Sequence, residues 1–281
     1  MFRFGLVAFL TMTSIAQAAH AAVFGKDDRE YVLTTPGSPY SPVGLVRVGL
    51  NRATGTLISR CDVLTVQHVY GLPQSIVRDP RGERANFSGS VGSERPISSK
   101  GTIIAAGGWK HLKPSDQRYY DDIGSDWMII RLDKCLGEKL GWARLGTSAN
   151  GSTATDPKDL LDAGFPADRD SELGLSVDPA CTIRGVASRV LFHDCATMRG
   201  NSGGPIFRLI SIDGVQRMEI VGIVSAVWSY SYAATEVRGQ ENVATAAWNV
   251  TYDPAHPTAL QHLPSSSSIS SQSFRAARTS L

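Results

Sequence analysis

An all-β fold, a barrel or a sandwich, is what this 281-residue sequence predicts. Three observations predict it. Short β-branched and apolar runs recur along the chain. Gly, Pro, Asn and Asp punctuate them, and no long stretch keeps the period of an amphipathic helix. From the amino terminus the runs are Gly44–Leu50, Gly55–Ser59, Gly101–Ala106, Trp127–Leu132, Cys181–Phe192, Met218–Val227 and Val243–Val250. Pro257–Leu263 is the one stretch with some helical character. No internal repeat at solenoid periods appears.

The two ends read differently from the middle. Arg3, the apolar run Gly5–Ile15 and the small-residue sites Ala16-Gln17-Ala18 or Ala19-His20-Ala21 have the order of a cleaved secretory signal. The apolar run is too short, and too interrupted by Thr and Ser, to span a membrane. Residues 1–21 are therefore expected to be removed, leaving a domain over 22–264 in the secreted or periplasmic space. Ser265–Ser273 is mostly serine, and 265–281 reads as a disordered tail.

Composition narrows the function. The formal net charge is +2, with both signs interspersed. The densest basic stretch, Arg78–Arg84, is broken by Asp79, Pro80, Gly82 and Glu83 and reads as a solvated loop. Neither a nucleic-acid footprint nor a membrane anchor is indicated. Four cysteines in an exported chain suggest two disulfides, with three connectivities open.

Three segments carry chemistry. In Gly200-Asn201-Ser202-Gly203-Gly204-Pro205 a serine sits in bare backbone, where a carbonyl carbon can reach the hydroxyl while N–H groups face its oxygen. His68 ends the run Val63-Leu64-Thr65-Val66-Gln67-His68, just before Tyr70-Gly71. Asp126 abuts the apolar strand Trp127–Leu132, a poor setting for a freely solvated charge. Taken singly, each has a plain structural reading as a turn serine, a satisfied histidine or a strand-start aspartate.

Together they resemble the trypsin/chymotrypsin-like serine proteases, most closely the bacterial V8-like (glutamyl endopeptidase-like) branch. The likeness runs from Val23 to Asn249 in the family's order His, Asp, Ser. It rests on Gly55-Thr56-Leu57-Ile58-Ser59 with the His68 segment, on Asp126-Trp127-Met128-Ile129-Ile130-Arg131-Leu132, and on Gly200–Pro205. The resemblance implies two six-stranded antiparallel barrels and a short C-terminal helix, with the barrel boundary near 146–159. It implies His68, Asp126 and Ser202 as the catalytic residues and the N–H groups of Gly200 and Ser202 as the oxyanion hole. Ser225 would support the aspartate. Cys61–Cys135 and Cys181–Cys195 would be the disulfides. The product is a secreted serine endopeptidase, a monomer acting on protein or peptide substrates with no cofactor and no metal.

Several positions depart from the family's pattern. Its disulfide beside the histidine is missing, because the two positions hold Ala53 and Val69. Two alanines before the histidine are replaced by Val66 and Gln67, which must fit beneath the active site and, for Gln67, find partners. This makes a catalytically impaired homologue, acting as a binding module, the alternative reading. Asn201 replaces the aspartate that pairs with a freed N-terminal amine in trypsin, so activation by that ion pair is not expected. In the substrate pocket Ala196 leaves no acid for Lys or Arg, and Val224 replaces the histidine of glutamate-specific members. Thr197 is compatible with several preferences. Ala226 and Val227 fall on the pocket wall, where Val227 should narrow it toward small or medium apolar residues.

Two other hydrolase readings fit less well. The segment Gly200–Gly204 also satisfies the esterase pattern G-x-S-x-G, with Asp253 and His256 or His262 as partners. That reading needs a parallel sheet with crossover helices, which the run pattern does not show. His111, His193 and His256 lack the spacing of a zinc hydrolase.

Overall fold

Strand pairing closes the first half of the chain into a ring. The structure, a computed structural model, describes residues 23, 27–71, 79–91, 93, 96–112, 116–146, 160–187, 189–231 and 238–252, with backbone alone for 187, 226–231 and 238–241. The signal segment, the residues 147–159 of the barrel boundary, Pro257–Leu263 and the tail 265–281 lie outside the described residues. After a short strand β1 (Glu30–Val32), the ring is built from β2 (Val43–Val48), β3 (Asn51–Leu57), β4 (Asp62–Thr65), β5 (Arg84–Gly89), β6 (Ile97–Ala106) and β7 (Met128–Leu132). Their order is β2-β3-β4-β7-β6-β5, all pairs antiparallel.

Alternation fills the ring. Ala85 and Phe87 of β5 point inward while Arg84 and Asn86 face solvent. Val46, Ala53, Leu57, Val63, Phe87, Ile103, Met128 and Ile130 form the interior with Leu140 at one end. Ala53 and Val69, where the family's disulfide is missing, both join this cluster, so apolar contact occupies that place.

A short helix α1 (Tyr119–Ile123) precedes β7, and a second, α2 (Gly137–Leu140), follows it. The chain joins the second sheet at β8 (Arg144–Leu145) and then supplies β9 (Leu160–Gly164), β10 (Leu175–Cys181), β11 (Ile183–Ala187), β12 (Val190–His193), β13 (Pro205–Ile212), β14 (Val215–Ser231) and β15 (Arg238–Ala246). Together with β1 these make a nine-stranded curled sheet ordered β1-β10-β9-β13-β14-β15-β12-β11, with β8 beside β14. It has more strands than a six-stranded barrel: β1 extends one edge and β8 adds a parallel strand to the seven strands β9 to β15. One apolar cluster joins both halves: Val43, Leu45, Leu64 and Ile129 of the ring meet Phe165, Leu175, Phe207 and Ile220 of the sheet. At about 25 cal/mol per Å² of apolar surface removed from water, such a shared core favours one packed body.

Cys61 pairs with Cys135 and Cys181 with Cys195, at Cα separations of 4.1 and 4.6 Å, the same pairs the resemblance implies. No helix among the described residues is long and apolar enough to cross a membrane.

His193 lies inside the second sheet with neither ring nitrogen partnered, and burial pushes its pKa from 6.5 down to about 3. The folded state then keeps the ring neutral while an unfolded chain takes up a proton as pH falls through 6.5. Stability is therefore complete above that pH and declines progressively below it. His193→Leu is expected to flatten this decline, sparing about 2 kcal/mol near pH 5. Thermal unfolding of both proteins at about pH 8 and pH 5 checks it; parallel losses in the two would overturn the assignment.

Candidate active site

Strand register brings the first two candidate residues together. β4 and β7 run antiparallel with Thr65 opposite Met128. Beyond that pair the chain leaving β4 forms the single 3-10 turn Gln67–Val69, which carries His68, while Asp126 stands two residues before Met128. Both side chains therefore emerge at the same end of the pair. The backbone N–H of His68 donates to Asp126 Oδ1 at 2.8 Å, and His68 Nδ1 lies 2.6 Å from Asp126 Oδ2.

The third contact on this carboxylate comes from the other sheet. Ser225 Oγ donates to Asp126 Oδ2 at 2.5 Å. The β14–β15 register shifts between Val224 and Ala226, so Ser225 is the extra residue of a bulge, a device that re-aims a side chain. Asp126 is fully buried, a costly place for a charge unless donors surround it, and here three do. Because a carboxylate only accepts, the proton of the neutral imidazole sits on Nδ1, which leaves Nε2 as the acceptor. Burial opposes charging of His68, but the Asp126 charge and hydrogen bond outweigh it, and the pKa of the ring is raised.

Ser202 lies in the tight connection between β12 and β13. Three hydrogen bonds to Thr54 of β3 seat this region: Thr54 N donates to Ser202 O at 2.8 Å, Thr54 Oγ1 donates to Gly200 O at 2.8 Å, and Phe165 N donates to Thr54 Oγ1 at 3.0 Å. Gly203 has φ +81°, and a Cβ there would stand 2.3 Å from both Thr54 O and Thr65 Oγ1. Its N–H donates to Val224 O at 2.7 Å, and Val224 N–H returns to Gly204 O at 2.9 Å. The serine loop is thus tied to the strand that, one residue later, supplies Ser225. Among the described residues the N–H groups of Gly200 and Ser202 donate to no protein group, and the Ser202 hydroxyl makes no hydrogen bond to His68.

Gln67 has the partners a buried amide needs. Its Oε1 accepts from Gly108 N at 3.0 Å and Trp109 N at 3.1 Å, and its Nε2 donates to Trp109 O at 3.5 Å. Val66 is enclosed in the shared core. The departure from the family's two alanines therefore anchors the connection after β6. Trp109 lies 5.9 Å from the His68 ring and stacks on His111 at 4.9 Å. These rings, with Leu112, Tyr119 and Ile123, line a cavity of about 180 Å³ beside His68.

Of the pocket candidates, Ala196, Thr197 and Val224 are buried. Ala196 N donates to Asp178 Oδ2 at 2.6 Å, and the side chains of Ala226 and Val227 lie outside the described residues. Ligand atoms of Cys181, His193 and Cys195 lie within 4.8 Å of one another, but the disulfide occupies both sulfurs.

Residues 35–248 match the family model for trypsin, more than half of the chain. The chain belongs to the trypsin family. Among solved structures, a Glu endopeptidase in complex with MPD shares this trypsin-family fold with a TM-score of 0.52 at 18% identity, over 80% of this chain and 93% of that one. No curated protein matches the sequence.

Sequence reasoning passed over Thr54, Trp109 and Asp162. Thr54 and Trp109 carry no local signal, since their importance lies in contacts across the fold. Asp162 could have been noticed, as an acid inside the apolar run Leu160–Gly164.

Proposed function

We propose that this trypsin-family chain is an exported serine endopeptidase. It cleaves protein or peptide substrates as a monomer through an acyl-enzyme, without a cofactor. Ser202 Oγ attacks the scissile carbonyl while His68 Nε2 takes its proton, forming the tetrahedral intermediate. Its oxyanion is held by the N–H groups of Gly200 and Ser202. His68 then returns the proton to the leaving amine. Water attacks the acyl-enzyme by the same route in reverse, with His68 as base and then as acid. Asp126 holds the imidazole with Nε2 free and stabilises its cation; Ser225 holds Asp126. The observation that carries this reading is the buried Asp126 carboxylate with its donors from His68 and Ser225. Catalytic hydrogen bonds to a nucleophile commonly tighten only when substrate is present. The two disulfides accord with an oxidising compartment.

Ala196, Thr197, Val224, Ala226 and Val227 are the proposed pocket, which favours small or medium apolar residues at the cleaved bond. A fluorophosphonate is expected to label the full chain at Ser202 and to leave Ser202→Ala unlabelled. A peptide library should then show cleavage after small or medium apolar residues. Absence of labelling would support a non-catalytic scaffold instead. A preference for Glu, Lys or Arg would overturn the pocket while leaving the nucleophile standing.

A further inference from the structure

Beneath the serine loop two buried polar side chains meet. Asn201, next to Ser202, and Asp162 on β9 are each about 1% exposed, and Asn201 Nδ2 donates to Asp162 Oδ2 at 2.7 Å. Each then has one oxygen left over: Asp162 Oδ1 and Asn201 Oδ1 are both buried without a partner. Two unpartnered acceptors on the two members of one hydrogen-bonded pair are accounted for by a single missing proton. We propose that Asp162 is a carboxylic acid in a two-point pair with Asn201, its O–H donating to Asn201 Oδ1, and that this pair positions the loop carrying Ser202. This rests on the reading of Ser202 as the nucleophile.

The neighbours of Asp162 favour the protonated form. Directly across the β9–β10 ladder from Asp162 is Asp178, also buried, and like charges at opposed positions of a sheet repel. Asp178 takes one backbone N–H on each oxygen, from Ala180 at 3.0 Å and Ala196 at 2.6 Å, which suits a carboxylate. On the β13 side Asp162 faces Ile206, which offers no countercharge. Arg29 is the cation that acts on it, and its guanidinium is already engaged by Asp27 and Asp168. Burial first, and then the Asp178 charge, hold the Asp162 carboxyl well above the usual carboxylate range, against smaller opposing effects of Asn201, Arg29 and the Ala163 N–H.

The geometry explains why the pair would act on the serine loop. A Cβ at Gly164, on the same strand, would stand 2.5 Å from Asn201 Oδ1, so the carboxamide lies against β9 itself. Asn201 N donates to Met198 O, and Asn201 O accepts from Gly204 N at 2.6 Å, so its backbone spans the turn around Ser202. Fixing the carboxamide fixes the peptide groups on both sides of it. The anchor uses residues of the folded domain alone and requires no freed N-terminal amine. Asp162 is thus a positioning residue.

The test uses the full chain and three proteins: wild type, Asp162→Asn and Asp162→Val. An amide at 162 can reproduce both hydrogen bonds, whereas valine leaves both Asn201 groups unpaired. Asp162→Val is expected to lower kcat about 10²-fold, in the range for losing an oxyanion donor, with KM changed far less. Asp162→Asn should recover at least about tenfold of that loss. An infrared difference spectrum at neutral pH should show a protonated-carboxyl band in wild type that vanishes in Asp162→Asn. If no such band exists, or Asp162→Asn is as impaired as Asp162→Val, the pair is overturned. Should Asp162→Val not fold, the band and Asp162→Asn still decide. If the wild type neither turns over nor labels, the peptidase reading fails, while the band continues to report on the pair.

Discussion

Replacing His68 by alanine is expected to lower kcat by about 10⁶-fold, because in the proposed mechanism base and nucleophile act as a unit and losing one forfeits the chemistry of both. Asp126→Asn should cost about 10⁴-fold by presenting the wrong tautomer, with the fold intact. The two variants should differ from wild type in pH dependence as well as in rate. In wild type the Asp126 charge raises the His68 pKa despite burial, so the acid limb of kcat/KM is expected above the ordinary imidazole value of 6.5. As pH falls through that limb, His68 takes up a proton and can no longer accept one from Ser202. Removing the charge leaves burial, which lowers the pKa, so the residual activity of Asp126→Asn should persist to lower pH. Steady-state kinetics across pH checks both. Near-normal turnover in His68→Ala would sink the triad and return the esterase arrangement, in which His68 has no part.

The second large effect is structural. Gly203→Ala would place a Cβ 2.3 Å from the Thr54 carbonyl oxygen and the Thr65 hydroxyl, at φ +81°. One of those atoms belongs to a strand backbone, and Thr65 Oγ1 is itself committed to Thr54 O at 2.7 Å. Neither can retreat without opening the β3–β4 edge. Strain in the left-handed region and overpacking together should destabilise the protein by about 2–6 kcal/mol. Denaturant unfolding measures the loss of stability. Turnover should fall too, because the Gly203 N–H to Val224 O bond aligns the serine loop with the Ser225 strand. An unchanged unfolding midpoint would show that the loop is not seated on β3 as described.

Much of the ring was legible because its inward positions are apolar, many of them β-branched, and its turns are marked. The run Trp127–Leu132 corresponds to β7, and Gly55–Ser59 covers only the end of β3, which starts at Asn51 and stops at Leu57. β5 was not legible: Arg84-Ala85-Asn86-Phe87-Ser88-Gly89 has only two large-enough apolar groups, and its pairing with β2 and β6 makes it a strand. β10 was masked by Pro179, and β1 by its three-residue length. Both are strands because a neighbour offers hydrogen bonds. The run Val243–Val250 overshot, since β15 ends at Ala246 and the chain turns at Ala247–Asn249. At the site, the Gln67 departure looked costly from sequence alone, and the backbone of Gly108 and Trp109 supplies what it needs.

By itself the sequence determined the residue types that can do acyl transfer, their order, the all-β class and membership of the trypsin family, because these reside in short local patterns. Only the tertiary structure decided that one carboxylate collects donors from two sheets, that Thr54 carries the serine loop, and that Asp162 lies under Asn201. Those facts depend on strand register and on a bulge at Ser225, and register is set by the packing of side chains far apart in sequence.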